Sequence, residues 1–429
     1  MDEQYDVLVV GGSIAGCTTA ILFARARLRV ALLEAEPDMA AYQRRCTGYV
    51  QGSATPVLER LALAADLDAS GAVHNVADFW TSYGWTREPD KLAGCPAFGY
   101  SVRRSVLDPL LRRTAAAEPM LDLLLGARVH GLVRDESGRV DGVVASVDGR
   151  DRVLRSRLVV GADGRGSGVA EMAGLRARVV PNQRSSCFAA YRHVSLPHSP
   201  RAKIWLLDDG TVVGAYPTDD GVTVLSVMAW GPRFAEFEQR PERALLMAYD
   251  GLPDGPDLLD AERVGEVVVT GDCSHVRRDR AATPGVALVG DAAMAGDPVW
   301  AVGCGWALQS AAWLVDATAP TLLAGGNVDR AAARYATTHR RNLRPHFDAT
   351  AEFSSRRPFR GMERLVFAGA PYDALVAQAF WRYLTRNAPP KTLRAPSVLT
   401  RASMARSSST RVHQPQRQPC ERSKHSEVG

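Results

Sequence analysis

Tyr5 to Val10 is a nearly unbroken apolar run, followed by Gly11-Gly-Ser-Ile-Ala-Gly16, an apolar stretch to Arg25 and a second run from Arg29 to Glu34. Short apolar runs bounded by glycine read as buried strands and the longer stretch as a helix, which predicts a β-α-β unit opening a parallel sheet. From Ser105 to Glu118 the apolar residues Leu107, Leu110, Leu111 and Ala115 recur at helical spacing. Strands are then expected around Ala127 to Arg134, Val140 to Val147 and Val153 to Val160, with turn signals at Glu136-Ser-Gly138 and Asp148-Gly149.

From Ser185 to Trp230 the pattern changes to short β-rich runs separated by Asp208-Asp-Gly210 and Asp219-Asp-Gly221. Asp-Gly between such runs is a strong hairpin signal. This block predicts an antiparallel sheet, joined by the aromatic-rich piece Phe79 to Trp85. Val264 to Gly271 and Val286 to Val289 read as the return to the first domain. Helices are expected over Gly303 to Ala317, Asp329 to Arg344 and Asp373 to Thr385.

The expected fold is α/β: a Rossmann-like parallel sheet, an inserted antiparallel β-sheet domain that would face a substrate, and a helical C-terminal part. The parallel-sheet domain is expected in three pieces, 1–78, 101–178 and 264–345. The inserted sheet takes 79–100 and 179–263, a helical region 346–400, and a disordered basic tail 401–429.

At 46% hydrophobic and 23% charged residues the composition is that of a globular protein. Of the net charge of +5, residues 401–429 supply +4 (six basic and two acidic), leaving the rest near +1. No aromatic residue is interleaved with that basic run, which argues against a nucleic-acid partner. The long apolar stretch from Trp300 to Ala319 is broken by Gln309, Ser310 and Asp316 and reads as a buried helix, not a membrane span. The seven cysteines are scattered, odd in number and lack a Cys-x-x-Cys pair, so neither a disulfide framework nor a metal site is expected. With no apparent signal peptide, the expected compartment is the reducing cytoplasm.

Three turns carry the candidate chemistry. In Gly11-Gly-Ser-Ile-Ala-Gly16 the first glycine permits a tight strand-to-helix turn and the last lets the helix approach the sheet. The helix N-terminus then presents amides to a pyrophosphate. Ser13 stands where the middle glycine of the dinucleotide pattern falls, and Ala15 lies within the turn. Glu34 ends the second strand where a carboxylate accepts both hydroxyls of an adenosine ribose. The second turn is Leu158-Val-Val-Gly-Ala-Asp-Gly164, in which Asp163 either positions a pyrophosphate, admits a nicotinamide, or serves the turn alone. The third is Gly285-Val-Ala-Leu-Val-Gly-Asp-Ala-Ala293, which runs to Pro298 and a helix beginning at Gly303. Asp291 suits a ribityl hydroxyl, and the Gly303 helix would direct its dipole at a flavin pyrimidine. Together, in this order, the turns predict bound FAD. Arg45 is a candidate for an acidic substrate group or the flavin, or else a solvated loop arginine.

These turns resemble FAD-dependent monooxygenases of the p-hydroxybenzoate hydroxylase type and their relatives, flavin-dependent halogenases and geranylgeranyl reductases, over roughly residues 5 to 345. The resemblance implies that Arg104, with Arg103 as competitor, contacts the flavin side chain, and that the strand at Arg128-Val129 holds the adenine through its backbone. It further implies NADH or NADPH as reductant, or a separate flavin reductase as partner. The reaction it implies is hydroxylation or epoxidation of an electron-rich, aromatic or polyketide-like small molecule through a flavin C4a-hydroperoxide. In such a reaction the cofactor carries the chemistry, so no catalytic side chain can be named.

The chain departs from that pattern at Met294, where the family has His after Gly-Asp-Ala-Ala, and at Ala170, where it has Arg. Both departures bear on the reductant. Halogenation would need a lysine reachable from the flavin, and no Trp-x-Trp-x-Ile-Pro segment is present. The alternatives are a halogenase, a polyprenyl reductase and a non-catalytic FAD-binding protein. A substrate is expected between the flavin and the inserted sheet, against Phe188, Tyr216, Pro217, Trp230 and Trp300.

Overall fold

A computed structural model describes residues 3–406, apart from positions 93, 183, 232, 233 and 356. The N-terminal apolar run forms β1 (Glu3–Val10), the glycine-rich turn leads into α1 (Ile14–Arg25), and the second run forms β2 (Val30–Glu34). β1 lies within an eight-stranded sheet and pairs in parallel with β2, which pairs in turn with β3 (Leu121–Leu125). On its other side β1 pairs with β4 (Arg150–Gly161), and β4 with β5 (Val286–Leu288), again in parallel. Parallel strands are covered on both faces, which is why they read as continuous apolar runs and not as alternating ones. Every residue of α1 from Ile14 to Ala24 is buried, and α2 (Arg104–Ala116) packs beside it. The strands Arg128–Arg134 and Val140–Val147 extend this sheet as an antiparallel meander onto β4. At the meander's Asp148-Gly149 turn both residues have positive φ, +51° and +74°, the backbone that a two-residue hairpin demands.

A second sheet of seven strands runs, in spatial order, Glu262–Thr270, Arg184–Arg192, Thr223–Trp230, Val212–Pro217, Ala202–Leu206, Ala77–Thr81 and Gly84–Arg87. It is antiparallel except where Ala202–Leu206 meets Ala77–Thr81. One face packs Trp205, Val213, Leu225 and Val227 with Leu245 and Tyr249 from the segment beyond it. The opposite face packs Tyr216, Val224 and Met228 against Trp300, Trp306 and C-terminal helical residues such as Phe380.

Three expectations are corrected. The run Val264 to Gly271 does not return to the parallel sheet: Cys187 registers on Val269, so it forms the edge of the seven-stranded sheet. An apolar run looks the same in either sheet, and its partner decides. Next, the helices α3 (Gly303–Leu323) and α4 (Val328–Phe353) outrun their expected ends at Ala317 and Arg344. In α4 the proline that signals a stop, Pro345, sits inside the helix. Finally, residues 401–406 complete a helix, Pro396–Arg406, and do not begin a tail. There Arg401 pairs with Asp373 at 2.7 Å and Ala402 is fully buried. Residues 407–429 lie outside the described residues.

Candidate functional site

The first turn is held by contacts that tolerate no side chain. Gly11 has φ +103°, and a Cβ there would lie 2.6 Å from the Ala162 carbonyl oxygen. A Cβ on Gly16 would lie 1.7 Å from the carbonyl oxygen of Gly11. Ser13 is the N-cap of α1 in extended conformation, and its hydroxyl makes no capping bond. Instead it accepts from Arg104 Nη2 at 2.7 Å, while Arg104 forms a two-pronged pair with Asp108 at 2.8 and 2.9 Å. Glu34 stands at the end of β2 with one carboxylate oxygen accepting from the Gly12 amide and the other from the Glu36 amide. The strand end and the glycine turn are thereby joined through the carboxylate itself.

The third turn closes onto the first. Gly290 has φ +57°, and a Cβ there would lie 2.8 Å from the Ala15 side chain. Its amide donates to Ser310 Oγ of α3 at 2.9 Å. Asp291, the next residue, is exposed to solvent yet crowded by protein, the signature of a group on the floor of a cleft. Burial raises its carboxyl pKa, with Arg165 and Arg104 opposing the rise. Beyond it the Asp297 carboxylate caps a single turn, Pro298–Trp300, by accepting from the Val299 amide at 2.8 Å. Pro298 is exposed. The αL residue Ala301 (φ +49°) then starts α3 at Gly303, whose N-cap, Val302, offers no side-chain acceptor. Gly303 is exposed with open space where a Cβ would stand. The uncapped start of a 21-residue helix is a place for negative charge.

The other candidates divide. Arg104 faces Ser13, whereas its competitor Arg103 turns to the second sheet and pairs with Asp219 through Nε at 2.7 Å. Val129 lies just beyond the Ala127 amide, which donates to the Glu34 carbonyl at 2.8 Å, so it sits at the same sheet end as Glu34. The backbone of Asp163 reaches the glycine turn, its Cα lying 3.1 Å from where a Gly11 Cβ would stand. Its carboxylate, however, accepts from Ser167 Oγ at 2.5 Å and from the Val169 amide at 3.0 Å, bracing the start of the short helix Gly168–Met172, whose N-cap is Ser167. That geometry favours the turn over a ligand for Asp163. Arg45 is exposed on the loop before Tyr49. Of the expected substrate-facing residues, Tyr216, Pro217, Trp230 and Trp300 are buried and Phe188 half-buried. Trp230 is covered by the Arg184 guanidinium at 4.3 Å and packs as core.

Sequence reasoning missed the residues that brace these turns. Arg112 donates to the Gly12 carbonyl at 3.0 Å and also to the Met39 and Ala41 carbonyls. Arg184 and Asp297, both fully buried, pair at 3.2 Å and tie the second sheet to the Pro298 turn. Arginine beside arginine at 112 and 113 gives no spacing signal, and Arg184 and Asp297 are 113 positions apart.

The residues fit FAD. The two glycines leave room for a pyrophosphate at an amide-rich helix start, a carboxylate stands at the end of β2, and a second carboxylate and an uncapped helix lie across the same cleft. Residues 4–342 match the family described as FAD binding domain.

The chain belongs to that family. It is 25% identical over 312 residues to digeranylgeranylglycerophospholipid reductase 1 of Methanococcoides burtonii, covering 70% of each chain. To 6-methylpretetramide 4-monooxygenase of Streptomyces rimosus it is 28% identical over 319 residues, covering 71% of this chain and 73% of the other. Among solved structures the flavin-dependent brominase Bmp2 superposes with a TM-score of 0.76 at 18% identity, over 94% of this chain and 98% of that one. At that identity the likeness is one of fold. The protein is an FAD-dependent oxidoreductase. Among the described residues no helix is long and apolar enough to cross a membrane.

Proposed function

We propose that this enzyme is a monooxygenase that hydroxylates or epoxidises an electron-rich, aromatic or polyketide-like small molecule, with NADH or NADPH, or a separate flavin reductase, supplying electrons. Bound FAD would supply the redox chemistry and oxygen activation. Gly11, Ser13 and Gly16 would seat its pyrophosphate, Glu34 its adenosine ribose and Asp291 its ribityl chain. The uncapped start of α3 at Gly303 would favour negative charge on the flavin ring. The seven-stranded sheet would exclude water above the ring, with Tyr216 set edge-on to Tyr49 at 5.5 Å in its wall.

The observation that carries the choice over halogenation is where the lysines lie. Among the described residues Lys91 and Lys391 are exposed. Lys203 is buried, donating to the Asp254 carbonyl at 3.2 Å and lying 4.8 Å over the Trp85 ring. It shares a strand face with Trp205, two residues on, which packs in the cluster remote from the FAD cleft. Lys203, the one buried lysine among the described residues, is thus engaged away from the cleft, which supports oxygen transfer over halogenation. The second reading, reduction of a polyprenyl chain, is supported by the 25% identity to the archaeal reductase over 70% of each chain.

Oxygen and NAD(P)H consumption against a panel of phenols and aromatic polyketides, with mass analysis of products, tests this. The expected result is one oxygen atom added to product per nicotinamide oxidised. Halogenated product, or saturation of a polyprenyl substrate without matching oxygen uptake, would overturn it.

A further inference from the structure

We propose that Cys46 and Cys304 form a redox-active thiol pair beside the FAD cleft that closes reversibly to a disulfide when a peroxide reaches Cys46. Their sulfurs lie 3.6 Å apart, although the residues are 258 positions apart in sequence. Cys46 is half-buried on the irregular loop between Glu34 and Tyr49, and Cys304 is the second residue of α3, next to Gly303. A disulfide needs about 2.05 Å between sulfurs, so the pair must approach by roughly 1.5 Å. The loop is already moored on either side of that movement. The Gln43 amide donates to Asp108 at 2.9 Å, Arg112 holds Met39 and Ala41, and the Gly48 amide points at the Cys46 sulfur at 3.4 Å.

The two thiols are unequal in the way such a pair requires. The hydrogen bond from Cys304 lowers the Cys46 pKa to about 6, helped by Arg104 and the Gly48 amide against the cost of burial. Cys304 is pushed well above the usual thiol range by that same bond and by burial. Half-exposed on the loop and with the Gly48 amide at its sulfur, Cys46 is the attacking thiolate, and the buried Cys304 is the resolving thiol. The other described cysteines, at 17, 95, 187 and 273, all have raised pKa values, with burial the main cause. A metal site does not account for the pair: among the described residues no cluster of three His, Cys, Asp or Glu is placed to hold an ion.

The chemistry balances with hydrogen peroxide as oxidant. The Cys46 thiolate attacks one peroxide oxygen, an S–O bond forms, the O–O bond breaks, and hydroxide leaves to become water. Cys304 sulfur then attacks the Cys46 sulfur. The S–S bond forms, the S–O bond breaks, and the departing hydroxyl takes the Cys304 proton as a second water. One peroxide is reduced to two waters while two thiols are oxidised to one disulfide. The product would pin the Arg44–Arg45 loop to the start of α3 at the edge of the cleft. This holds whichever reaction the flavin performs.

The test uses the full-length, FAD-loaded protein, treated with one to a few equivalents of hydrogen peroxide, alkylated and mapped by peptide mass spectrometry. A linked Cys46–Cys304 peptide, reversed by dithiothreitol, is expected. Before oxidation, Cys46 should alkylate at pH 7 on the order of tenfold faster than Cys95. In Cys304→Ser the oxidised Cys46 should persist as a sulfenic acid that dimedone traps, and in Cys46→Ser Cys304 should stay unmodified. Wild-type protein in which Cys46 resists peroxide, accumulates as sulfinic acid unlinked, or links to another cysteine would overturn the proposal. That mapping decides the matter even if a variant fails to fold.

Discussion

The parallel-sheet body and the seven-stranded sheet are both made of apolar strands, but they bind their residues to their sequence positions in different ways. In the first, the functional groups are backbone groups and the residues that let backbones meet: Gly11 under Ala162, Gly16 on Gly11, Gly290 on Ala15. Each contact excludes nineteen side chains, so the position is marked in the sequence. In the second, Tyr216 and Phe79 meet Tyr49 and Phe380 through ring packing that other large apolar residues can also satisfy. A cofactor with fixed phosphates leaves a legible imprint. A wall of packed rings does not.

The sharpest break of that comparison is Gly11→Val. The left-handed φ of +103° and a Cβ 2.6 Å from the Ala162 oxygen leave no place for a branched side chain. The turn must open, and FAD binding should be lost, read as absent flavin absorbance in purified protein. A valine variant that binds FAD as tightly as the parent would move the pyrophosphate site elsewhere.

Arg184→Met tests the joint between the two regions. Arg184 and Asp297 are both fully buried, and burial pushes the guanidinium pKa down while Asp297 opposes it. Removing one partner strands the other charge, typically at about 3–5 kcal/mol. Asp297 also accepts from Asn182 and caps the Pro298 turn, so flavin affinity should fall along with thermal stability. Loss of stability with unchanged FAD affinity would show that the second sheet braces the fold but not the cofactor turn.

Glu34→Ala should have a smaller effect, confined to the first region. The carboxylate holds the Gly12 and Glu36 amides and faces the expected ribose. Loss of a charge-assisted hydrogen bond costs about 1.5–3 kcal/mol, so the FAD dissociation constant should rise by roughly tenfold or more. Glu34→Gln keeps the shape and one acceptor and should rise less. Equal dissociation constants for all three proteins would reduce Glu34 to a strut of the turn.

The errors of the sequence reading fall where contacts are long-range. The β-α-β unit, the hairpins at Asp208-Asp-Gly210 and Asp219-Asp-Gly221, and the α/β fold class follow from local rules, and the chain obeys them. Val264 to Gly271 reads as part of the first domain but pairs in the seven-stranded sheet, because strand pairing is not a local property. α4 outran its proline because tertiary burial of Tyr335, Leu343 and Phe347 outweighs one missing amide donor. Arg112, Arg184 and the Cys46–Cys304 pair were invisible for the same reason: each acts on a partner that only the fold brings near.

The C-terminus offers the mildest test, and it turns on where the second region ends. Removing residues 407–429 should change stability by no more than about 0.5 kcal/mol, since that stretch has no apolar periodicity with which to join a core. Moving the cut back to residue 401 should cost more, about 1 kcal/mol or above. It strips the Arg401–Asp373 pair, worth little by itself at an exposed site, and the buried Ala402, whose backbone lies 2.7 Å from where a Gly369 Cβ would stand. FAD content should be the same in both truncations, because neither touches the parallel-sheet body. Melting temperatures that fall equally for the two cuts would place structural weight beyond residue 406, and a drop in FAD content would tie the C-terminal helices to the cleft itself.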